Sequence, residues 1–195
     1  LLDDFELQGR MQENHYVYVD TLQLATAGGK MGMRGYFNGS DPTSIYFNPE
    51  VVVDKMNLDK LLFKFENFGQ DELVSENLQG DLSGKIVGKI KMYPDLIPII
   101  DDSNLELDIE VIDGALKNFA AFDAMSAYFT DKNLKLVRFD TLRNTFTLEN
   151  GALDIPNMLL NTSVGYFQVS GKQYVDERMD YVIKVPLKVI AKAGM

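Results

Sequence analysis

The chain has no cysteine, no tryptophan and only one histidine. The lack of cysteine excludes disulfide bonds, thiolate nucleophiles and zinc–thiolate sites. A single histidine excludes a histidine-rich metal site, and a His-dependent triad would have to use His15. His15 lies beside a predicted turn, where we interpret it as structural or solvent-facing. We therefore predict no catalytic residue, no metal site, no cofactor and no enzymatic activity.

The sequence also lacks a long apolar run and an excess of positive charge. No stretch of about 18 apolar residues exists, so no segment is predicted to span a membrane as a helix. The net charge of -10 excludes nucleic acid as the main partner, because phosphates must be neutralised by Lys and Arg. It also argues against electrostatic docking on an anionic membrane. The chain begins Leu1-Leu2-Asp3-Asp4, which we interpret as a fragment whose signal or anchor lies upstream.

Aromatic and β-branched residues are abundant, and they favour β-strands. The clearest strand is near the C-terminus, where Tyr181, Ile183, Val185, Leu187 and Val189 alternate with more polar positions. Similar alternation and turn signals predict further strands. These lie at 5–11, 16–24, 30–37, 45–53, 83–92, 105–111, 135–139, 144–148, 152–159 and 166–170. The pattern predicts an antiparallel meander.

Two segments break the alternation. Phe119, Phe122, Met125 and Phe129 recur at steps of three and four residues, which predicts a helix near 118–130. A weaker helical turn follows Asn57. The polar stretch after residue 69 shows no period and predicts a flexible loop over 69–80. The expected organisation is an N-terminal β unit (1–68), this loop, and a C-terminal β unit (81–195), joined in one continuous sheet.

An internal repeat is suggested when the C-terminal segment is shifted back by 136 positions. Thr162 then aligns with Thr26, Gly165 with Gly29 and Gly171 with Gly35, and the strand 181–189 falls on 45–53 with its side-chain parity kept. Parity matters because a slip of one residue would turn every side chain to the other face of the sheet. The shift predicts two related units of turn, strand, glycine turn and further strands.

About ten strands with one apolar face each have only one or two short helices to cover them. Exposure of such an apolar face to water is energetically unfavourable. The predicted fold is therefore mainly β: a curled antiparallel sheet of repeated β units, either closed as a sandwich or open to a groove. A closed sheet indicates a structural or interaction domain, and an open groove indicates a carrier of apolar chains.

The C-terminal half also resembles a known family. The resemblance is carried by 142–156 (LRNTFTLENGALDIP), 159–171 (LLNTSVGYFQVSG) and 179–187 (MDYVIKVPL), with 82–90 (LSGKIVGKI) and 112–119 (IDGALKNF) upstream. These segments are similar to the C-terminal region of the AsmA family of bacterial envelope proteins. The motifs are turn glycines and strand patterns, over roughly residues 80 to 190.

The resemblance implies a non-enzymatic domain held at the inner membrane by an upstream segment and projecting into the periplasm. The family is related to TamB and to bridge-like lipid-transfer proteins, and it is linked to outer-membrane assembly and lipid transport. Its implied partners are lipid or other apolar chains, with envelope proteins as further candidates. The predicted lipid-groove residues are Leu107, Ile109, Val111, Phe119, Phe122, Phe167, Val169, Ile183, Val185 and Leu187.

The competing hypothesis is a β-rich scaffold or adhesion module that binds protein partners through its sheet edges. It predicts a filled core and an exposed, unpaired strand. One further segment has two interpretations. Residues 93–100 (YPDLIPII) are apolar and carry two prolines, so they form either a loop folded over the sheet or a lip that contacts lipid or a partner. We favour the loop. Asp101-Asp102 lacks EF-hand spacing and indicates a solvated loop.

Overall fold

The computed structural model describes residues 4–64, 74–119, 122, 133–176 and 178–185. Ten strands form one antiparallel sheet, ordered as they occur along the chain from the edge strand β1 to the edge strand β10. The strands are β1 (Asp4–Met11), β2 (Tyr16–Thr26), β3 (Gly29–Asn38), β4 (Ile45–Asn57), β5 (Leu78–Met92), β6 (Pro98–Lys117), β7 (Leu136–Glu149), β8 (Ala152–Thr162), β9 (Gly165–Tyr174) and β10 (Met179–Lys184). A single helix, α1 (Leu58–Lys64), follows β4.

The prediction of a mainly β, antiparallel fold is confirmed, and the sheet is open rather than folded into a sandwich. Several strands are longer than predicted. The two segments predicted at 135–139 and 144–148 are one strand, β7, and β6 runs for 20 residues. Bulges allow this length: the β5–β6 register shifts between Gln79 and Asp81, and again between Lys89 and Lys91. A bulge absorbs one extra residue and lets pairing continue.

The loop predicted over 69–80 extends too far toward the C-terminus. Residues 78–80 already belong to β5, and 74–77 form a turn before it. The two predicted units share one sheet, because β4 pairs directly with β5 through Val51 and Ile86. Of the predicted helix near 118–130, only residues 118, 119 and 122 are described, and Phe122 is helical. Residues 69–73 and the rest of that helix lie outside the described residues.

The sheet has two different ends. At the end that we call the hairpin end, short turns join β1 to β2, β3 to β4, β5 to β6, β7 to β8 and β9 to β10. At the opposite end, which we call the helix end, lie α1, Phe122 and the turns 27–28 and 163–164. The alternation of strand direction in a meander puts every second connection at the same end.

Most of the core lies at the helix end. Of the 15 buried hydrophobic residues that the described chain contains, only Phe47 and Ala152 lie nearer the hairpin end. One cluster gathers Phe122, Leu134, Val137, Leu160, Val164 and Phe167, and a second gathers Leu58, Val111 and Phe139. Burying each such side chain stabilises the fold by roughly 1.5–3 kcal/mol. The sheet is therefore anchored at one end.

The structure supports the repeat for one hairpin and corrects it for the next strand. Strands β2 and β8 are both 11 residues long, starting at 16 and 152, and β3 and β9 are both 10 residues long, starting at 29 and 165. Both hairpins shift register at the same place, between Val19 and Leu22 and between Ile155 and Met158. Strand lengths, turn lengths and bulge thus coincide at the predicted spacing.

The predicted match of 181–189 with 45–53 is displaced by four residues. Tyr181 lies opposite Gly171, whereas Pro49 lies opposite the equivalent Gly35. Tyr181 therefore takes the position of Pro49 rather than that of Ile45. Because the displacement is an even number of residues, each side chain keeps its face of the sheet. Part of this segment, 186–189, lies outside the described residues.

Candidate functional site: an open apolar sheet face

One face of the sheet is apolar across its width. Strand register places an unbroken row of apolar side chains across seven neighbouring strands. The row consists of Leu7, Leu22, Met33, Val51, Ile86, Leu107 and Phe146. Strands lie about 4.8 Å apart, so six spacings give the row a length of roughly 30 Å. We call the side of the sheet that carries this row the apolar face.

The opposite face is polar over nearly the same width. The equivalent row there runs through Arg34, Glu50, Val87, Glu106, Thr147, Asp154, Lys172 and Asp180. Glu50 Oε1 lies 2.8 Å from Lys85 Nζ, and its Oε2 lies 2.6 Å from Arg34 Nη2. Hydrogen bonds from Lys85 and then Arg34 hold the pKa of the Glu50 carboxyl below its ordinary value. Arg143 pairs with Glu110 on the same face. The polar face therefore suits water, whereas the apolar face suits an apolar environment.

The middle of the apolar face has little cover in the part of the chain that the structure describes. Leu22, Met33, Val51, Ile86 and Leu107 are all half-buried although they sit in the centre of the row. A closed sandwich would bury such central positions almost fully, because a second sheet would lie on them. Cover comes from α1 and from the cluster around Phe122, both at the helix end. The face is open from its middle toward the hairpin end.

The predicted groove residues fall into two groups. Leu107, Ile109, Val169, Ile183 and Val185 are half-buried. Ile109 packs against the cluster of Leu58, Val111 and Phe139, and Val169, Ile183 and Val185 pack against the cluster around Phe122, so of these five only Leu107 lies outside both clusters. Leu107 lies opposite Phe146 and Ile109 lies opposite Asn144, whereas Val169 lies opposite both Met158 and Ile183.

The other group is core rather than lining. Val111, Phe122 and Phe167 are exposed by only 6%, 5% and 1%, and half-buried Phe119 packs edge-on against Phe122 with ring centroids 5.5 Å apart. These four residues close the helix end. Leu187 lies outside the described residues.

Sequence reasoning missed the N-terminal half of the same face. The lining residues that it omitted are Val17, Val19, Leu22, Met33, Phe37 and Val51. Phe37 stacks on Phe47 with ring centroids 4.1 Å apart. The signal was present, because strands 16–24, 30–37 and 45–53 show the same alternation as the C-terminal strands. The prediction drew its residues only from the region that resembles AsmA.

The turn between β5 and β6 stands out at the hairpin end. Tyr93, Leu96 and Ile97 are exposed by 52%, 52% and 57%. Residues 94 and 95 form a short turn, whereas the high exposure of Tyr93, Leu96 and Ile97 does not fit a segment folded over the sheet. Residues 98–100 belong to β6. Exposed apolar side chains that are gathered in one place mark a contact surface more often than scattered ones do.

The remaining candidates take ordinary structural positions. His15 lies in the β1–β2 turn with φ of 63°, and its carbonyl accepts a hydrogen bond from Gly39 N at 3.0 Å. Asp102 pairs with Lys91 Nζ at 2.5 Å, and this contact raises the pKa of Lys91. A search of the described residues finds no group of three or more His, Cys, Asp or Glu that could hold a metal ion.

Within the described part of the chain, no helix is long and apolar enough to cross a membrane. Comparison with known proteins finds no matching family model, no matching curated protein and no matching solved structure.

Proposed function

We propose that this chain is an AsmA-like periplasmic envelope domain that shields lipid or other apolar chains on its apolar face, supports outer-membrane assembly and acts without catalysis. The observation that carries this proposal is the row of seven apolar side chains whose central members are half-buried. Apolar surface left in water costs about 25 cal/mol for each Å². An apolar occupant would remove that cost.

The dimensions of the row fit an acyl chain. The hydrocarbon core of a bilayer is about 30 Å thick and holds two layers of chains, so one chain extends over roughly 15 Å. A row of roughly 30 Å accommodates a chain of that length across three or four strands. The polar face, with its ion pairs, would remain in water while the apolar face holds the chain.

The test is lipid extraction and native mass spectrometry of protein purified from membranes. We expect lipid to co-purify with the unmodified chain and not with the double variant Ile86→Asp/Leu107→Asp. An acyl chain on the apolar face would have to displace water from the two new carboxylates, which is energetically costly. The matched control is Val52→Asp/Leu159→Asp, at positions 48% and 72% exposed on the polar face. Circular dichroism checks that both variants remain folded. The proposal would be overturned if the unmodified chain co-purifies with no lipid and takes up no lipid that is added to it.

One observation favours the second candidate, a scaffold that binds proteins through sheet edges. All eight residues of the edge strand β1 are exposed, and Phe5 and Leu7 are exposed by 58% and 54%. Such an edge offers backbone groups for an added strand. Hydrogen exchange distinguishes the candidates: a protein partner on this edge would slow exchange of β1 amides, whereas a lipid on the apolar face would leave them fast.

A further inference from the structure

We propose that the β5–β6 turn, Tyr93–Ile97, is a lip that inserts into the surface of an electrically neutral phospholipid bilayer and passes apolar chains between the bilayer and the apolar face. This inference rests on the proposed function and adds to it the place of entry and the kind of surface. Four features of the turn carry it: its projection, its exposed side chains, its fixed conformation and its continuity with the apolar face.

The turn projects beyond the neighbouring hairpin. Strand β7 ends at Glu149, which pairs with Asn104, so residues 98–103 of β6 extend past it without a β7 partner. Strand β5 advances by only three residues between Lys89, opposite Asn104, and Met92, opposite Pro98, so at about 3.3 Å for each residue the hairpin reaches roughly 10 Å beyond the end of β7. A flat surface that approaches the hairpin end from the side of β7 would meet this turn first.

The tip of the turn presents apolar groups to solvent. Leu96 and Ile97 are about half exposed and Tyr93 is exposed to the same extent, and Pro94 and Pro98 flank them in exposed positions. A soluble hairpin ordinarily carries polar turn residues such as Asn, Asp or Gly. Aliphatic side chains with a tyrosine suit the boundary between water and hydrocarbon.

The conformation of the tip is fixed by local hydrogen bonds. Tyr93 N donates to Ile97 O at 2.9 Å, Leu96 N donates to Tyr93 O at 2.8 Å, and Asp95 Oδ1 accepts from Ile97 N at 3.2 Å. Leu96 has φ of 67°, a left-handed conformation that costs a non-glycine residue of order 1 kcal/mol or more. In this conformation the Leu96 side chain is 52% exposed.

The base of the hairpin is equally well fixed. The Ser103 side chain is fully buried; its hydroxyl donates to Ile99 O at 2.6 Å and accepts from Lys91 N at 3.1 Å. The Asp101 carboxylate lies over Gly151 in the β7–β8 turn, so close that a side chain at 151 would collide with it. These contacts hold the projecting hairpin in one orientation relative to the sheet.

The lip is continuous with the apolar face. Met92, at the end of β5, lies opposite both Ile45 and Pro98, and Ile90 lies opposite Phe47. Met92 and Ile90 are half-buried. An apolar chain that enters at the lip therefore meets apolar side chains at each step toward the central row. Among the described residues, Phe122 and Phe167 instead fill the helix end.

Charge selects the type of surface. The β5–β6 hairpin carries Asp95, Asp101 and Asp102, of which Asp102 pairs with Lys91, and the whole chain carries a net charge of -10. Anionic lipids attract clusters of Lys and Arg and repel carboxylates. Insertion of apolar side chains into a neutral surface requires no such cluster. The structure thus favours a neutral bilayer over an anionic one.

The test is pelleting of the chain with phosphatidylcholine vesicles, together with transfer of a fluorescent fatty acid from those vesicles. The variant is Leu96→Ser/Ile97→Ser, and the matched control is Leu159→Ser/Val182→Ser, with 72% and 49% exposed side chains on the polar face. We expect the lip variant to lose vesicle binding and to slow transfer roughly tenfold or more, since two aliphatic anchors are removed. Equilibrium loading from solution should be unchanged in both variants.

The outcomes separate the lip from the proposed function. If the lip variant binds vesicles and transfers as fast as the unmodified chain, the lip is overturned, while normal loading leaves the proposed function intact. If the unmodified chain loads no fatty acid at all, the proposed function fails, and lip-dependent pelleting would still support the membrane contact. Stronger binding to phosphatidylglycerol vesicles than to neutral ones would overturn the assignment of a neutral surface. If the chain binds no vesicles and its lip instead binds a protein, the assignment of a bilayer is overturned.

Discussion

Phe139 packs flat against Gly114 in the neighbouring strand, and it is only 4% exposed. A Cβ atom on residue 114 would overlap the Phe139 ring. The absence of a side chain at 114 is therefore what allows this aromatic ring to join the core at the helix end. Glycine in a strand often marks such a close approach.

Two glycine substitutions should therefore have opposite effects. Gly114→Ala is expected to destabilise the fold by about 1–3 kcal/mol, because the ring of Phe139 must move within a packed core. Gly32→Ala, where a Cβ meets nothing within 4 Å, should be neutral or slightly stabilising, because alanine lowers the entropy of the unfolded chain. Urea unfolding of both variants checks this. Equal effects would show that the Phe139 contact is not what constrains residue 114.

Glu50 gives the polar face a dependence on pH. Its folded pKa is held below the ordinary value of 4.5 by Lys85 and Arg34. The ion pairs therefore contribute stability above pH 4.5, and this contribution is lost as the pH falls through the folded pKa. Glu50→Gln should lower the urea midpoint slightly at neutral pH, and the difference should shrink as the pH falls through the folded pKa of Glu50. A difference that persists in acid would contradict the ion-pair origin.

At the scale of elements, α1 matters because it covers one corner of the apolar face. Leu58 and Leu62 are exposed by 7% and 8%, and Met56, just before the helix, by 1%. Asn57 Oδ1 accepts a hydrogen bond from Lys60 N at 3.4 Å, which caps the start of the helix. This short helix is held by packing, since seven residues are too few to be stable alone.

Two neighbouring residues of α1 provide a matched test. Leu62→Ala is expected to cost about 2–3 kcal/mol, because it leaves a cavity between the helix and the sheet. Phe63→Ala removes a larger side chain that is 77% exposed, and it should change stability little. Thermal or urea unfolding compares the two. A larger loss of stability for Phe63→Ala than for Leu62→Ala would show that Phe63, and not Leu62, is packed against the sheet.

Element type was predictable from the sequence because alternation is local. Strands β1 to β4 begin within one residue of their predicted starts, since turn residues precede them. The lengths of β6 and β7 were not predictable, because the alternation of buried and exposed side chains changes phase near Asp113 in β6 and near Asp140 in β7, and such a change resembles a strand end. The projecting lip was also hidden, since exposure of an apolar loop depends on where the neighbouring strands stop.

For the whole molecule, the main feature is a gradient of packing from the helix end to the hairpin end and from β9 to β1. Val137 and Phe167 are each 1% exposed, whereas every residue of β1 is exposed. Local opening needs less free energy where few apolar contacts must be broken. The C-terminal strands at the helix end should be the last part of the sheet to open.

Hydrogen exchange followed by mass spectrometry checks this gradient. Peptides that cover Val137 and Phe167 should exchange slowest, with protection that approaches the global free energy of unfolding. Among the ten strands, peptides from β1 should exchange fastest. Uniform protection across all ten strands would mean that the sheet opens only as one unit.

The sequence by itself determined that the chain is an antiparallel meander with one apolar and one polar face. Side chains alternate with a period of two, so the local sequence of each strand shows which of its two sides is apolar. Only the tertiary structure decided how much of that face is covered. Phe122 reaches Phe167 with ring centroids 5.7 Å apart, although 44 residues separate them in the chain. Such long-range packing closes the helix end and leaves the hairpin end open, and no local pattern specifies it.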